Sequence, residues 1–260
     1  MPSFKLTLAY DGAEFSGWQR QPDRRTVEGE LERAWLAITG ETVRFSVAGR
    51  TDAGVHAAGQ VAGVESATLL APVTLMHALN AHLPPDAAVH GVELMPDGFH
   101  ATYDAKSKRY RYAIYNDPRR PVFCRRTAWH VPTPLDVESM RRAGQTLVGM
   151  HDFASFQSTG SPRESTVRTI FAVDLNRGGA GRGRGGASPL DDEADALIFV
   201  EVEGDGFLYN MVRSIVGTLL VIGRGKRPVE WPAEVLAARD RTAAGETAPA
   251  HGLSLLWVRY

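Results

Sequence analysis

The sequence predicts an α+β chain of two ferredoxin-like βαββαβ halves. They are expected to form one extended, mostly antiparallel sheet, with helices on one face and a central cleft. Three observations carry that expectation. Period-2 and period-3.6 apolar patterns succeed one another in the order β-α-β-β-α-β. The same order recurs further along the chain, although the sequence itself shows no convincing repeat. Capping residues, glycines and prolines fall at the boundaries this order requires. The first half is placed at residues 1–104 and the second at residues 105–260.

The first strand is read from Phe4 to Tyr10. A helix follows, with Thr26 as N-cap, Val27, Leu31, Ala34, Trp35 and Ile38 at helical spacing, and Gly40 at its end. Strands are expected near Val43–Val47 and Gln60–Val64, then a short helix from about Val73 to His82 that stops before Pro84 and Pro85, then a strand near Ala88–Leu94. The second half opens with a strand over about Arg109 to Asn116. Thr133-Pro134-Leu135-Asp136 reads as a capping box with Pro at the first helical position, opening a helix that runs to Gly149. Strands near Ile170–Leu175 and Leu197–Val202 follow, then helices at about Leu208–Ile222 and Ala233–Arg239, and a last strand, Ser254–Arg259. A Gly- and Arg-rich stretch at about 178–196, ending in acidic residues, cannot bury a core and is expected to be a flexible surface insertion between two strands.

At 260 residues, 43% hydrophobic and 23% charged, the composition is that of a globular protein with room for a substantial core. Cys124 is the one cysteine, so no intrachain disulfide can form and a reducing cytoplasm is the expected location. No apolar run approaches the roughly 20 residues of a membrane span, and no signal-peptide pattern opens the sequence. A net charge of −1 gives no global nucleic-acid signal, but the distribution does. Lys106, Lys108, Arg109, Arg111, Arg119, Arg120, Arg125 and Arg126 are opposed within their stretch only by Asp117, with Tyr110, Tyr112 and Tyr115 interleaved. Cations with aromatics suit phosphate neutralisation and base stacking. The alternation places Arg109 and Arg111 on one strand face, where phosphate could meet them, and Tyr110 and Tyr112 on the other. Arg20, Arg24 and Arg25 form a second basic cluster.

The stretch richest in chemistry is Ala48-Gly49-Arg50-Thr51-Asp52-Ala53-Gly54-Val55-His56, between two expected strands. Its glycines permit a tight turn and close approach of a ligand, and Arg50 and Asp52 stand two residues apart. A carboxylate beside a guanidinium stays ionised, which suits a nucleophile or base rather than a general acid. The same residues could also be a plain turn with an exposed ion pair.

This nine-residue string closely resembles the signature loop of the tRNA pseudouridine synthase A (TruA-type) family, and further blocks extend the resemblance along nearly the whole chain. They are Tyr10-Asp11-Gly12 with Phe15 to Gln21; Thr26-Val27-Glu28-Gly29; Leu79-Asn80 with Leu83-Pro84; Phe99-His100-Ala101; Lys108 to Tyr112; His151-Asp152-Phe153 with Ser155-Phe156; Phe207 to Gly217; and Gly252-Leu253. The resemblance implies the pseudouridine synthase fold, with RNA in the central cleft. It implies conversion of uridine to pseudouridine at positions 38, 39 and 40 of the tRNA anticodon stem-loop, without metal or other cofactor, by a homodimer. It implies that Asp52 is the nucleophile, that Arg213 holds it ionised and oriented, and that Tyr110 stacks on the uracil. Arg50 would occupy the place of the flipped nucleotide or hold its phosphate, and Leu253 would be an apolar wall. Arg213 has its own signal, because an Arg on an otherwise apolar helix calls for a partner. Two rival readings are a non-catalytic RNA-binding module of ferredoxin-like fold, which has no need of Asp52, and a metallohydrolase built on Asp52, His56 and His100.

Overall fold

The computed structural model describes residues 1–160, 164–178 and 193–260. Most of the Gly- and Arg-rich insertion expected at 178–196 thus lies outside the described residues. The strands are β1 (Ser3–Tyr10), β2 (Ser46–Val47), β3 (His56–Glu65), β4 (Ala87–Met95), β5 (Ser107–Tyr115), β6 (Trp129–His130), β7 (Gly149–Asp152), β8 (Val167–Arg177), β9 (Leu197–Gly204) and β10 (Leu253–Arg259). The helices used below are α1 (Val27–Thr39), α2 (Pro72–His82), α3 (Val137–Gln145), α4 (Met211–Gly223) and α5 (Trp231–Ala238). Two units form: Met1–Lys108 with Ser254–Tyr260, and Arg109–Leu253. The fold is α+β with mostly antiparallel strands, as the element order predicts.

In the first unit β1 is antiparallel to β4 on one side and to β3 on the other, and β2 pairs with β3. The order β4-β1-β3-β2, with α1 and α2 as the connections, is the ferredoxin-like arrangement. The last strand also belongs here: Ser254 and Leu255 of β10 pair in parallel with His56 and Ala57 of β3. Thr26 caps α1 by accepting the Gly29 N–H, and Gly40 ends it at a φ of 73°. Leu31 and Trp35 are buried, and the Trp35 ring meets Phe4 and Phe45 edge-on at 6.2 and 5.7 Å. Asn80 of α2 accepts the N–H of Val89 at 2.7 Å and donates to its carbonyl at 2.8 Å, tying the helix to β4. The strand expected over Val43–Val47 shrinks to Ser46–Val47. Phe45 turns inward against Trp35, and β3 offers pairing only through Gly63 and Ala62.

In the second unit the order is β5-β9-β8-β7, with β6 on β5. The short strands β6 and β7 escaped the sequence reading because two to four residues carry no measurable period. The expected capping box at Thr133 is not the helix start. Asp136 caps α3, accepting from the Ser139 N–H at 3.0 Å, and the helix begins at Val137. The Asp136 carboxylate takes both the N–H and the hydroxyl of Ser139, which makes it the cap. The helix ends at Gln145 rather than Gly149, which instead opens β7 with φ at 115°. Arg141 and Gln145 donate to the carbonyls of Leu175 and Val173, fastening α3 to β8. The apolar helix starts at Met211, not Leu208, because Asn210 adopts left-handed geometry at φ 59°.

Candidate active site

The loop from Ala48 to Val55 leaves β2 and enters β3, and hydrogen bonds from three directions hold it. Gln60 of β3 is fully buried, and main-chain groups set the direction of its amide. Its Nε2 donates to the Gly49 carbonyl at 2.8 Å, and its Oε1 accepts the Val61 N–H at 3.1 Å. The same Nε2 donates to the Tyr10 phenol oxygen at 3.3 Å. The phenol and Thr51 Oγ1 share a hydrogen bond at 2.7 Å. Burial pushes the Tyr10 phenol up to about 12, outweighing the hydrogen bonds to Thr51 and Gln60 that pull it down, so it remains a neutral donor at ordinary pH.

The main chain completes the frame. Trp18 N–H donates to the Thr51 carbonyl at 2.9 Å, and Val55 N–H to the Asp52 carbonyl at 3.1 Å. Gly17, at φ 90°, makes the Trp18 approach possible, since a Cβ there would stand 2.7 Å from the Thr51 oxygen. A Cβ on Gly12 would strike the Val55 carbonyl, and the Gly12 N–H donates to His56 Nδ1 at 3.1 Å. Within this frame Arg50 is exposed and Asp52 is half-buried. Tyr10, Thr51 and Gln60 join the candidate site through contacts that no sequence spacing displays. The one local signal was a Gln in the middle of an apolar strand.

Three further candidates lie in the second unit. Tyr110 on β5 is 7% exposed, its ring edge-on to Phe207 at 5.1 Å and 83°. Arg213 is half-buried near the start of α4. Its Nε donates to the Ala248 carbonyl and its Nη1 to Asn210 Oδ1, both at 2.6 Å. Small residues on α4 bring that carbonyl close. A Cβ on Gly217 would collide with the main chain of Glu246, and Thr218 Oγ1 accepts the Gly245 N–H at 3.0 Å. Asn210 is itself held through Nδ2 on Ser158 Oγ at 3.1 Å. Leu253 is buried where β10 begins, next to Gly252, whose missing Cβ leaves room for the Tyr112 ring. Arg50 and Asp52 thus share one loop, while Tyr110, Arg213 and Leu253 share the other unit.

The basic face expected on β5 needs correction. Arg109 and Arg111 do point away from Tyr110 and Tyr112, but they meet carboxylates. Arg109 reaches Asp174 at 2.5 Å, Glu201 at 2.7 Å and Glu203 at 3.4 Å, and Arg111 reaches Glu201 at 2.5 Å. Phosphate would have to displace these partners. Arg25 is likewise engaged, with both terminal nitrogens 2.7 Å from Asp86 and its guanidinium 4.1 Å above the Phe15 ring. Arg119 folds onto Asp117. The rival metal reading gains nothing. His56 and His100 each accept a backbone N–H at Nδ1, and among the described residues no group of three His, Cys, Asp or Glu side chains is placed to hold a metal ion.

Comparison with known proteins covers most of the chain. A family model described as tRNA pseudouridine synthase matches residues 7–104 and 143–260. The chain is 46% identical over 254 residues to the tRNA pseudouridine synthase A of Halalkalibacterium halodurans, covering 97% of this chain and 90% of that protein. Identity to the protein of that name from Moorella thermoacetica is 46% over 263 residues, and to that from Brevibacillus brevis 44% over 260 residues, covering 100% of both chains in each case.

Proposed function

The chain belongs to the tRNA pseudouridine synthase family, isomerases acting on uridine in tRNA, and from that premise we propose that it modifies positions 38, 39 and 40 of the anticodon stem-loop with Asp52 as its nucleophile. The reaction is internally balanced. The bond from ribose C1′ to uracil N1 breaks, the ring turns, and C5 bonds to C1′. C5 loses a proton and N1 gains one, so nothing is oxidised and nothing leaves. Such an isomerisation calls on no cofactor. The target must leave its stack before a carboxylate can reach it. Asp52 then attacks the ribose or the uracil, or takes a proton in an elimination.

The family resemblance gives Arg213 the task of keeping the nucleophilic carboxylate ionised, and within its own unit its fork is preset by Ala248 and Asn210. Tyr110 stacks on the uracil and serves proton transfer at C5. Arg50, exposed on the same loop as Asp52, fills the space of the flipped nucleotide or holds its phosphate. Leu253 is an apolar wall of the pocket. The protein works in the cytoplasm as a homodimer, with tRNA as its partner. The observation that carries this reading is the half-buried carboxylate of Asp52 on a loop braced through Gly49, Thr51 and its own carbonyl.

The test is Asp52→Asn, which keeps shape and removes the charge. Pseudouridine formation at positions 38–40 of unmodified tRNA is expected to fall below detection while tRNA binding is unchanged. Near-normal turnover by this variant would overturn the assignment. Mapping pseudouridine in tRNA from cells lacking the protein tests the positions.

A further inference from the structure

We propose that Tyr10, Thr51 and Gln60 form a buried hydrogen-bond relay whose task is to position Asp52, an inference that rests on Asp52 being the nucleophile. The three side chains come from β1, the loop and β3, and are 5%, 6% and 0% exposed. The Phe15 and Trp18 rings lie 6.3 and 6.4 Å from the Tyr10 ring. Burying three polar groups against such rings is unfavourable unless each is hydrogen-bonded, and even then the net gain is modest. Apolar side chains of similar volume would fill the space without that penalty. Strand pairing does not require the relay either, since β1 and β3 are already joined by a ladder from Ser3↔Glu65 to Leu8↔Gln60.

The relay's hydrogen bonds act on the residues just before Asp52. Gln60 grips the Gly49 carbonyl, and Tyr10 grips the Thr51 hydroxyl. A second observation points the same way. The β1–β3 register shifts between Leu8↔Gln60 and Tyr10↔Ala57, where two steps on β1 face three on β3. Irregularities of this kind re-aim side chains and are common beside active sites. Here the shift falls between Gln60 and Tyr10, the two strand residues of the relay. Because the Tyr10 hydroxyl remains protonated at working pH, its contribution is placement rather than proton transfer.

The experiment measures kcat and KM on unmodified tRNA, with melting temperature, for Tyr10→Phe, Thr51→Val, Thr51→Ser and the Tyr10→Phe/Thr51→Val double variant. A misplacement of about 1 Å costs on the order of 100-fold in rate, so the Phe and Val variants are expected to lose about 10- to 100-fold in kcat with KM unchanged. The double variant is expected to be no worse than the poorer single one, since both remove the same hydrogen bond. Thr51→Ser should recover most of what Thr51→Val loses, and the loss in Tyr10→Phe should be equal at all pH values around neutrality. A parent-like kcat in Tyr10→Phe overturns the relay. So does a loss that follows the unfolded fraction, or losses that multiply in the double variant. Asp52→Asn runs alongside: if it stays active, nucleophile and relay both fail; if it is inert while Tyr10→Phe turns over normally, the relay alone fails.

Discussion

At the scale of single residues, the candidate site is a set of side chains whose freedom has been removed by neighbours of ordinary kinds. Arg213 spends two donors on Ala248 and Asn210, which fixes the plane of its guanidinium. Tyr110 meets Phe207 edge-on, so its ring is held whether or not its hydroxyl acts. That separates two substitutions. Tyr110→Phe keeps the Phe207 contact, so it should bind tRNA while turnover stalls. Tyr110→Ala opens a hole in a buried place and should lose about 3–5 kcal/mol of stability on top of its turnover, measured by urea unfolding. Equal and mild effects of both would mean that Tyr110 is only core. The strand face carrying the Tyr110 ring was legible in the Arg-Tyr-Arg-Tyr alternation. Its partner Phe207 was not, because the two lie almost a hundred positions apart in the chain.

At the scale of elements, strands β5, β8 and β9 are laced by the ion pairs of Arg109 and Arg111 with Asp174, Glu201 and Glu203. Glu201 sits at the centre. Burial pushes its carboxyl up, but Arg111 and Arg109 together outweigh that and hold it below the usual carboxylate range. A depressed folded-state value means that the stabilisation is complete above the unfolded value of about 4.3 and is lost as pH falls through the lower folded value. Glu201→Gln is therefore expected to lower stability at neutral pH by about 2 kcal/mol, the worth of a hydrogen bond to a charged group. That deficit relative to the parent should shrink towards strongly acid pH, and chemical unfolding at neutral and acid pH measures it. A deficit that persists in acid would assign the effect to packing instead. Element boundaries were legible where one cap has no competitor, as at Thr26 and Gly40. They are not legible where Asp136 competes with Thr133, because Asp136 is also held by its N–H on the Gly223 carbonyl, a contact far along the chain.

At the scale of the whole molecule, a chain of net charge −1 must bind a polyanion through local charge. Binding of tRNA should weaken steeply with salt, and each arginine that neutralises a phosphate adds about one unit to the slope. The internal ion pairs redistribute the expectation among the arginines. Arg24 and Arg120 are exposed, and charge removal there is expected to flatten the slope without changing which uridine is modified. Arg25 is bound to Asp86 and Arg119 to Asp117, so substituting Arg25 should register mainly as lost stability. Titrations of tRNA at several salt concentrations, one variant at a time, decide this. A slope indifferent to Arg24 and Arg120 would place the phosphate path elsewhere on the protein.

The amino-acid sequence alone determined the element order of the first half, the α+β class, the Asp52 loop and the family, because periodicity, caps and motifs are local and survive in one dimension. Tertiary structure decided which side chains face each other. It gave Arg109 and Arg111 to carboxylates rather than to phosphate, and it paired β10 with β3. It also brought Tyr10 and Gln60, 50 positions apart, together over Thr51. Periodicity says which face of an element a residue occupies. Only the pairing of strands says what that face will meet.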